Sequence, residues 1–386
     1  MILIKNAKIM TMTGKNYENG CILIDGQKIV DVSEDIIAPL DALVIDAQGM
    51  FAMPGIIDAH CHIGMWEDSM GFEGDDGNET TNPITPHLRA IDAVNPMDRN
   101  FREAYEGGVT TVMTGPGSAN VIGGQFAILK TYGNRVDDMI VKAPAAMKIA
   151  FGENPKRVYN SKHKTPETRM ATAALLRETL MKAVEYKAKK EKADGDLEKM
   201  PALDIKMEAL LPVLSREIPL KAHAHRADDI FTALRIAKEF NLKITLDHVT
   251  EGHLIVDKLK EEDVSLIVGP SFGTRSKIEL KELSFTTPGI LSNAGIKIAI
   301  MTDHPVIPLQ NITMCAAYAV KDGMKEEDAF KAITINPAQI LGIADRVGSI
   351  EVGKDADIAI FNGNPLEIMT KSQYVLINGK IVYKRV

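Results

Sequence analysis

The sequence predicts an α/β fold, in which a distorted TIM (β/α)8 barrel carries a small β-sandwich domain built from both termini. Through the central region, short apolar runs alternate with helical stretches, which is the pattern of βα units around a parallel sheet. The two ends of the chain instead hold short alternating strands separated by Gly and Asn turn signals, which favours β-sheet. We therefore predict a composite β-domain from residues 1–52 and 346–386, and a barrel from residues 53–345.

The strands of the composite domain are short and end at recognisable turns. The N-terminal strands are expected in ILIKNAKIM, GCILIDGQKIVDV and ALVIDAQGM, and the C-terminal ones in GSIEVGKDADIAIFN and QYVLINGKIVYKRV. The Asn-Gly pair within INGK is a strong hairpin signal. These segments predict one small domain that both ends of the chain complete.

The central region supplies enough strand and helix candidates for an eight-stranded barrel, which typically needs ~250 residues and carries its active site at the carboxyl ends of the strands. Apolar residues at three- and four-residue intervals predict a helix over 228–240, and a longer helix is expected from 167 to about 191. The predicted strands are Ile56 to His62, Val109 to Thr114, Ala145 to Phe151, Leu220 to His225, Lys243 to Val249, Val264 to Val268 and Ile296 to Thr302.

Composition excludes several classes of protein. The formal net charge is −7, with no dense block of Lys and Arg, so a nucleic-acid partner is not expected and a small-molecule substrate is. The opening MILIKNAKIM has neither a basic region nor a long apolar run, so we expect no membrane association and a cytoplasmic location. The three cysteines, Cys21, Cys61 and Cys315, show no C-x-x-C spacing, which argues against disulfides and thiolate zinc sites.

Histidine placement is the informative feature of the chain. In D-A-H-C-H, His60 and His62 are two residues apart on a predicted strand, so both imidazoles point to one face and can meet one divalent ion while Cys61 turns away. Alone, the pair is equally compatible with two satisfied surface or core histidines. Six of the nine histidines, however, fall at or just past predicted strand ends: His60, His62, His223, His225, His248 and His304.

The later motifs repeat this placement. K-A-H-A-H ends at His225, L-D-H ends at His248, and M-T-D-H contains Asp303 and His304. An isolated Asp at a strand end is more often a turn or N-cap residue, but Asp303 here closes a series of such sites. Together they predict a cluster of nitrogen and oxygen donors suited to Zn²⁺, Mn²⁺ or Fe²⁺.

These motifs carry a family resemblance. P-G-I-I-D-A-H-C-H after a small β-domain, the later strand-end His and Asp residues, and the closing G-S-I-E-V-G-K-D-A-D-I-A-I-F segment resemble the amidohydrolase superfamily over nearly the whole chain. The chain is most similar to its imidazolonepropionase-like and prolidase-like members. The resemblance implies a barrel enzyme with one or two divalent metals, most often zinc, that hydrolyses C–N bonds of amides, cyclic amides or acyl-amino acids. It also implies a homo-oligomer.

The resemblance assigns individual ligands. It places His60, His62 and Asp303 on the more buried metal. It makes His223 a ligand on the fifth strand, and His248 on the sixth either completes a second metal or contacts substrate.

The resemblance also implies a bridging carboxylated lysine on the fourth strand, and Lys148 in A-A-M-K-I-A-F-G stands at that position. A lysine inside an apolar strand is costly unless it is paired or chemically neutralised. The alternative is a salt-bridged or substrate-binding Lys148.

These roles predict a mechanism in which a metal-activated hydroxide attacks a carbonyl and Asp303 acts as general base and then general acid. His225 lines the pocket, and the metal, His225 or His248 stabilises the oxyanion. Arg157 and Arg275 are candidates for a substrate carboxylate because a guanidinium suits that group, although most arginines are structural. His304 is a further substrate-side candidate.

Three questions stay open from the sequence. The same metal ligands serve deaminase or esterase chemistry. A non-catalytic assembly protein of the same fold is a further alternative, although such relatives typically lose ligands that are present here. Substrate identity, the number of metal ions and the state of Lys148 are not determined by the motifs.

Overall fold

The computed structural model describes residues 1–68 and 71–386, and these residues form two eight-stranded sheets. Strands β6 to β13 make the barrel, and the remaining strands make a second sheet from both termini. The strands are β1 (Ile2–Ile9), β2 (Tyr17–Asp25), β3 (Lys28–Ser33), β4 (Leu43–Asp46), β5 (Phe51–Pro54), β6 (Ile56–Cys61), β7 (Val109–Thr114), β8 (Ile122–Lys130), β9 (Ile140–Ala150), β10 (Leu220–Ala224), β11 (Ile244–His248), β12 (Ser265–Val268), β13 (Ile298–Ile300), β14 (Ile358–Phe361), β15 (Ser372–Ile377) and β16 (Lys380–Lys384).

Helices connect most of the barrel strands. They are α1 (Arg99–Glu106), α2 (Val136–Met139), α3 (Glu153–Asn160), α4 (Arg169–Ala193), α5 (Ile205–Leu214), α6 (Ala227–Glu239), α7 (Val256–Leu259), α8 (Thr286–Asn293), α9 (Ile312–Lys321), α10 (Glu326–Ala332) and α11 (Ile335–Leu341). The predicted long helix is α4, which begins after Thr168, whose hydroxyl accepts the Ala171 amide. The helix predicted over 228–240 is α6. In the described ranges no helix combines the length and the apolar character that a membrane crossing requires.

The barrel follows the order of the chain, from β6 to β13, and all seven predicted strands are present in it. The one further strand, β8, is third in the barrel, and it runs antiparallel to both β7 and β9. This strand is not among those predicted from the sequence, because Gly123 and Gly124 near its start mask its strand pattern.

The first and eighth barrel strands are joined through a side chain. One carboxylate oxygen of Asp58 on β6 accepts both the amide and the hydroxyl of Thr302, just past β13, at 2.9 and 2.6 Å. The other oxygen accepts the His60 amide at 2.9 Å. Asp58 is fully buried, and burial raises the pKa of its carboxyl to about 6. These bonds hold the strand that carries His60 against the segment that carries Asp303.

The second sheet has the order β16-β15-β14-β5-β1-β2-β3, with β4 also paired to β1. Its core is formed by apolar residues from both ends of the chain, including Ile4 and Ile22 from the start and Ile358 and Leu376 from the end. The predicted Asn-Gly hairpin joins β15 to β16. Strand β5 continues through Gly55 into β6, and a side chain at Gly55 would clash with Thr110, since a Cβ there would lie 2.2 Å from Thr110 Oγ1.

A buried ion cluster fastens this sheet to the barrel. Lys130, at the end of β8, lies 2.7 Å from Asp357 and 3.2 Å from Asp355, and all three side chains are nearly inaccessible. Asp355 is also paired with Arg346 and Lys28, each at 2.8 Å. The closing G-K-D-A-D segment thus neutralises a buried lysine of the barrel, which would otherwise be expensive to bury.

Candidate metal centre

Six side chains bring metal-binding atoms together at the carboxyl ends of the barrel strands. They form two groups of three, and within each group the ligand-type atoms lie within 4.8 Å of one another. The first group comes from β6 and the segment after β13, and the second from β10, β11 and the residue after β10. The groups are His60, His62 and Asp303, and His223, His225 and His248.

The first group is arranged around the Asp303 carboxylate. Its Oδ1 lies 3.2 Å from Nε2 of His60 and 3.2 Å from Nε2 of His62. His62 donates its Nδ1 proton to the Gly115 carbonyl at 2.7 Å, so in the neutral ring Nε2 carries a lone pair. Two acceptors 3.2 Å apart repel one another unless a cation or a proton lies between them.

His60 is oriented from its other nitrogen by a buried carboxylate. Its Nδ1 lies 3.2 Å from Oδ2 of Asp247 on β11, and both side chains are fully buried. The second oxygen of Asp247 accepts the Lys221 ammonium at 2.8 Å, and Lys221 also donates to the Ala59 carbonyl at 3.0 Å. The Asp247 carboxylate therefore faces Nδ1 of His60 as a buried charge, without a hydrogen bond between them, while Nε2 of the same ring lies against Asp303.

The second group is similarly braced. His248 donates from Nδ1 to the Gly269 carbonyl at 2.9 Å, which leaves Nε2 free. His225 Nδ1 lies 2.7 Å from the Thr250 hydroxyl. The His225 ring stacks on His248 with centroids 4.2 Å apart, and His223 meets His248 edge-on at 4.3 Å.

Burial keeps these imidazoles in the neutral, ligating form. Loss of hydration lowers the pKa of His60 to about 4 and that of His225 to about 3, and it holds the pKa of His248 well below its usual range. For Asp303, burial opposes ionisation, but the neighbouring His248, His60 and His62 take up a proton in preference to the carboxylate, which holds its pKa well below the usual range. Neutral imidazoles beside an ionised carboxylate are the donor set that a divalent cation requires.

Two residues of the donor groups, His248 and Asp303, have an unusual backbone conformation. His248 and Asp303 both have positive φ angles, 75° and 52°, which side-chain-bearing residues adopt at some cost. Each stands where a strand has just ended and the chain turns. At these two positions the unusual backbone conformation carries an imidazole and a carboxylate of the two donor groups.

Lys148 lies between the first group and the buried carboxylate. Its side chain is fully buried, with Nζ 3.5 Å from His60 Nε2 and 3.8 Å from Asp247 Oδ2. Burial lowers the pKa of its ammonium to about 8. Gly123 on β8 makes room for it, because a Cβ there would press on Lys148 Cγ at 3.3 Å.

A cavity of about 670 Å³ opens over both groups, a size suited to a small molecule. His62, Asp303 and the second histidine group lie in its wall. Trp66 and Asn78, from the loop after β6, line another part of it, although Ser69 and Met70 of that loop lie outside the described residues. The remaining wall includes Asn154, Arg157, Phe272, Lys277 and Val306.

The structure separates the predicted substrate-side residues. Arg157 lines the cavity. Arg275 is not among the cavity residues, and its guanidinium donates to the carbonyls of Lys281 and Leu283 within its own loop, so its placement does not support contact with substrate. His304 is nearly inaccessible behind His62, and neither ring nitrogen has a hydrogen-bond partner among the described residues.

Sequence reasoning missed several residues of the site. Lys221 stands two residues before His223 on β10, so alternation along the strand was a usable signal for it. Asp247 directly precedes His248, so alternation places it on the other face, and its only signal was a carboxylate inside an apolar strand. Glu279 gave no signal, because it lies on a 3-10 turn, Ile278–Leu280, far along the loop after β12. Its carboxylate is nevertheless buried beside His223 and His225.

The residues fit a bound divalent ion. Tetrahedral coordination with bonds of 2.0–2.2 Å separates neighbouring ligand atoms by about 3.3–3.6 Å, close to the 3.2 Å between Asp303 Oδ1 and each Nε2 of His60 and His62. The donors are imidazole and carboxylate, and His62 and His248 each donate from their other ring nitrogen to a backbone carbonyl. His60, His62 and Asp303 would hold one ion, and His223 and His248 a second.

Comparison with known proteins agrees with this geometry. The model of the amidohydrolase family matches residues 213–382. The chain is 45% identical to an amidohydrolase of known crystal structure from Thermotoga maritima MSB8, with a TM-score of 0.97 and all of both chains covered. It is 29% identical to the amidohydrolase tasK of Hapsidospora irregularis, over 93% of this chain but only 39% of that longer protein.

An imidazolonepropionase from Fusobacterium nucleatum is 25% identical, with 95% of this chain and 92% of that protein covered. The match to the Thermotoga protein extends from end to end, through the barrel and the sheet formed by both termini. It therefore confirms the resemblance inferred from the histidine motifs and the closing segment. The chain belongs to the amidohydrolase family, and it is a hydrolase of carbon–nitrogen bonds.

Proposed function

We propose that this protein hydrolyses an amide or cyclic amide bond of a small molecule at a centre of one or two divalent ions, of which Zn²⁺ suits the donors best. The observation that carries the proposal is the meeting of two three-residue donor groups in the wall of one cavity. Neutral imidazoles, an ionised carboxylate and a space for substrate are the elements that metal-assisted hydrolysis requires. Fe²⁺ and Mn²⁺ accept the same donors.

Asp303 is the residue to which we assign proton transfer. A divalent ion, when bound, supplies Lewis acidity that lowers the pKa of water from 15.7 to roughly 7. Asp303 lies in the cavity wall with one carboxylate oxygen against both histidines. We assign to its second oxygen the acceptance of a proton from the attacking water and its return to the departing nitrogen. His225 and His248, which also line the cavity, would face the developing oxyanion.

Lys148 is the residue for which we propose carboxylation. It stands on the fourth barrel strand, fully buried, within 3.5 Å of His60 Nε2, and its nearest carboxylate oxygen is 3.8 Å away. Addition of CO₂ to the neutral amine forms an N–C bond and releases one proton, which turns a poorly paired cation into an anionic donor. Mass spectrometry under non-denaturing conditions should show a mass increase of about 44 Da that disappears in Lys148→Met.

Arg157 is the residue to which we assign recognition of an anionic substrate group. Its guanidinium lines the cavity, and among the described residues it has no ion pair or hydrogen bond. A free guanidinium at the rim of a cavity suits a carboxylate, which it binds with two parallel bonds. The substrate we favour is therefore a small amide or cyclic amide that carries a carboxylate.

A substrate panel tests this proposal. Metal-loaded protein would be offered carboxylate-bearing cyclic amides, N-acyl amino acids, dipeptides, simple esters and aminated heterocycles. We expect turnover of cyclic amides or N-acyl amino acids, abolished by chelation. Ammonia released only from the heterocycles would indicate a deaminase, ester cleavage alone would indicate an esterase, and no turnover of any class by fully loaded protein would favour an assembly role.

Two arginine variants test the substrate side. Arg157→Ala should raise KM for the best substrate by about 10-fold or more, with a smaller change in kcat, because a charge-assisted contact contributes about 1.5–3 kcal/mol. Arg275→Ala is the matched comparison, because it removes the same group from a loop outside the cavity wall. A larger KM effect in Arg275→Ala than in Arg157→Ala would reverse the assignment.

A further inference from the structure

The cavity over the donor groups has two walls of different chemistry, and the proposed reaction uses only one of them. Arg157, to which we assign a substrate carboxylate, lies on α3 and lines the cavity. A second part of the lining is apolar, and it comes from the loop after β12 and from the segment after β13. We call the side chains of Phe272, Leu283, Pro305 and Val306 the apolar wall. No step of the proposed reaction gives these side chains a role.

The order of the strands places Arg157 and the apolar wall on opposite sides of the cavity. The barrel follows the chain from β6 to β13, and the bonds of Asp58 to Thr302 join its last strand to its first. Helix α3 follows β9, the fourth barrel strand, whereas Pro305 and Val306 follow β13, the eighth. In a barrel of eight strands the fourth and the eighth lie opposite one another. A substrate held at the donor groups would therefore have the guanidinium on one side and the apolar wall on the other.

The apolar wall keeps accessible surface close to the donor groups. Val306 is 59% exposed and Phe272 is 39% exposed. The Val306 amide donates to the Asp303 carbonyl at 2.9 Å, so this surface begins in the turn that directly follows the carboxylate to which we assign proton transfer. Each methylene group of a ligand that leaves water for such a surface can strengthen binding by about 4-fold. The wall is therefore suited to an apolar arm of the substrate.

Aromatic packing holds Phe272 on its side of the cavity. Its ring centroid lies 5.2 Å from that of Tyr318 on α9, the helix that follows β13, and 6.2 Å from that of Phe285. Phe285 in turn stacks on Tyr318 at 4.5 Å. Farther along the same loop, Lys277 instead donates to Asn154 on α3 at 2.8 Å. The loop after β12 thus contributes an aromatic ring to the apolar wall and a lysine to the wall that carries Arg157.

We propose that the substrate is an N-acyl amino acid with an apolar acyl chain, bound with its carboxylate at Arg157 and its acyl chain against the apolar wall. The inference rests on the proposed hydrolysis of a carboxylate-bearing amide, and it specifies which group lies on which side of the scissile bond. An N-acyl amino acid carries its carboxylate on the amine side of the amide and its acyl chain on the other, as the two walls require. Hydrolysis adds water across the C–N bond and releases a carboxylic acid and a free amino acid.

Two isomeric probes test this orientation. N-hexanoylglycine and either enantiomer of N-acetylnorleucine contain the same atoms, but their apolar carbons lie on opposite sides of the amide. Trp66 is the single tryptophan of the chain and lines the cavity, with its ring centroid 4.9 Å from that of His62, so its fluorescence can report binding without turnover. Binding would be measured on the metal-stripped full-length chain, and kcat/KM on the metal-loaded chain. In both assays we expect N-hexanoylglycine to be favoured by about 10-fold or more over N-acetylnorleucine and over N-acetylglycine.

Variants of the two walls should act on different parts of the probe. Phe272→Ala and Val306→Thr should each lower the preference for N-hexanoylglycine over N-acetylglycine by about 3-fold or more, with N-acetylglycine itself unchanged. Ile278→Thr is the matched control, because Ile278 is 69% exposed on the same loop as Phe272 and lies outside the cavity wall. Arg157→Ala should weaken all three probes by a similar factor, since each carries the carboxylate.

The outcomes separate this inference from the proposed reaction. Equal or better binding of N-acetylnorleucine would overturn the inference, as would a preference that neither Phe272→Ala nor Val306→Thr reduces. Hydrolysis of both isomers at equal rates would also overturn it, while the proposed amide hydrolysis would stand. Selective binding of N-hexanoylglycine that the metal-loaded chain does not hydrolyse would support the placement of the two groups and refute the proposed reaction. No binding of N-hexanoylglycine would overturn the inference, whichever other amides are hydrolysed.

Discussion

Replacement of Lys221 by Met should separate the stability of the barrel from the orientation of its metal ligands. Lys221 is fully buried and gives its ammonium protons to Asp247 at 2.8 Å and to the Ala59 carbonyl at 3.0 Å. Lys221→Met keeps most of the volume but leaves Asp247 without its nearest cation. Removing one partner of a buried ion pair costs about 3–5 kcal/mol of unfolding free energy.

The structure indicates the lower end of that range. Asp247 keeps two further neighbours after the change, because Lys148 Nζ lies 3.8 Å from its Oδ2 and His60 Nδ1 lies 3.2 Å from the same oxygen. We therefore expect a loss of about 3 kcal/mol. With a denaturant slope of about 3 kcal/mol per molar urea, the unfolding midpoint of the metal-free chain should fall by about 1 M.

The double variant Lys221→Met, Asp247→Leu provides the decisive comparison. The double variant removes the uncompensated Asp247 carboxylate but also takes from Lys148 its nearest carboxylate, so we expect urea stability to recover only in part. His60 would still lack the buried charge beside Nδ1, so Zn²⁺ affinity should remain about 10- to 100-fold weaker. If the double variant is as unstable as the single one, or if it binds Zn²⁺ as tightly as the wild type, the reasoning about this pair is refuted.

Three further predictions follow from the site and the core. Asp303→Asn should lower kcat by at least 10²–10⁴-fold, while the chain still binds some Zn²⁺ through His60 and His62. Turnover and metal content would be measured on the same preparation. Near-normal activity would show that Asp303 does not transfer the proton. Saturating Zn²⁺ at 100 times Kd should stabilise the stripped chain by about 2.7 kcal/mol, so a melting temperature that is indifferent to chelator would contradict a tight site. Cys61 and Cys315 are buried, and burial raises the pKa of the Cys315 thiol to about 12 and holds that of Cys61 well above its usual range. Both thiols should therefore resist alkylation at pH 8 in the native chain. Rapid labelling, detected by mass spectrometry, would show instead that the barrel opens readily.

The parts of the fold that were predictable are those where one local pattern decides the structure. The seven parallel strands are largely apolar runs that are buried on both faces. Most of them end at or beside a residue of the candidate metal centre, so the strands and the site were recognised together. Strand β8 was missed because its pattern is interrupted by glycines. A Cβ at Gly123 would press on Lys148 of the neighbouring strand at 3.3 Å, and one at Gly124 would lie 2.7 Å from the Leu88 carbonyl oxygen. A constraint imposed by a distant side chain leaves no periodic signal in its own segment.

The same reasoning separates the site residues. His60, His62, His223, His248 and Asp303 share a position at strand ends, which the chain order reveals. Glu279 reaches His223 from a loop whose path depends on tertiary packing, and the cavity contains Lys277 where the sequence favoured Arg275. Arg157 and Arg275 were equally plausible from residue type alone. The path of the loop after β12 decides between them, because it places backbone carbonyls of that loop against the Arg275 guanidinium.

The ion cluster around Lys130 has a consequence for how the chain matures on the ribosome. All the barrel strands, from Ile56 to Ile300, are synthesised before Asp355 and Asp357, the two carboxylates that neutralise Lys130. A nascent barrel must therefore either leave β8 open to water or bury an unpaired ammonium. The counter-charges are translated only after the last barrel strand, so a nascent chain that still lacks them would present an incomplete barrel to chaperones and proteases, however intact its histidines.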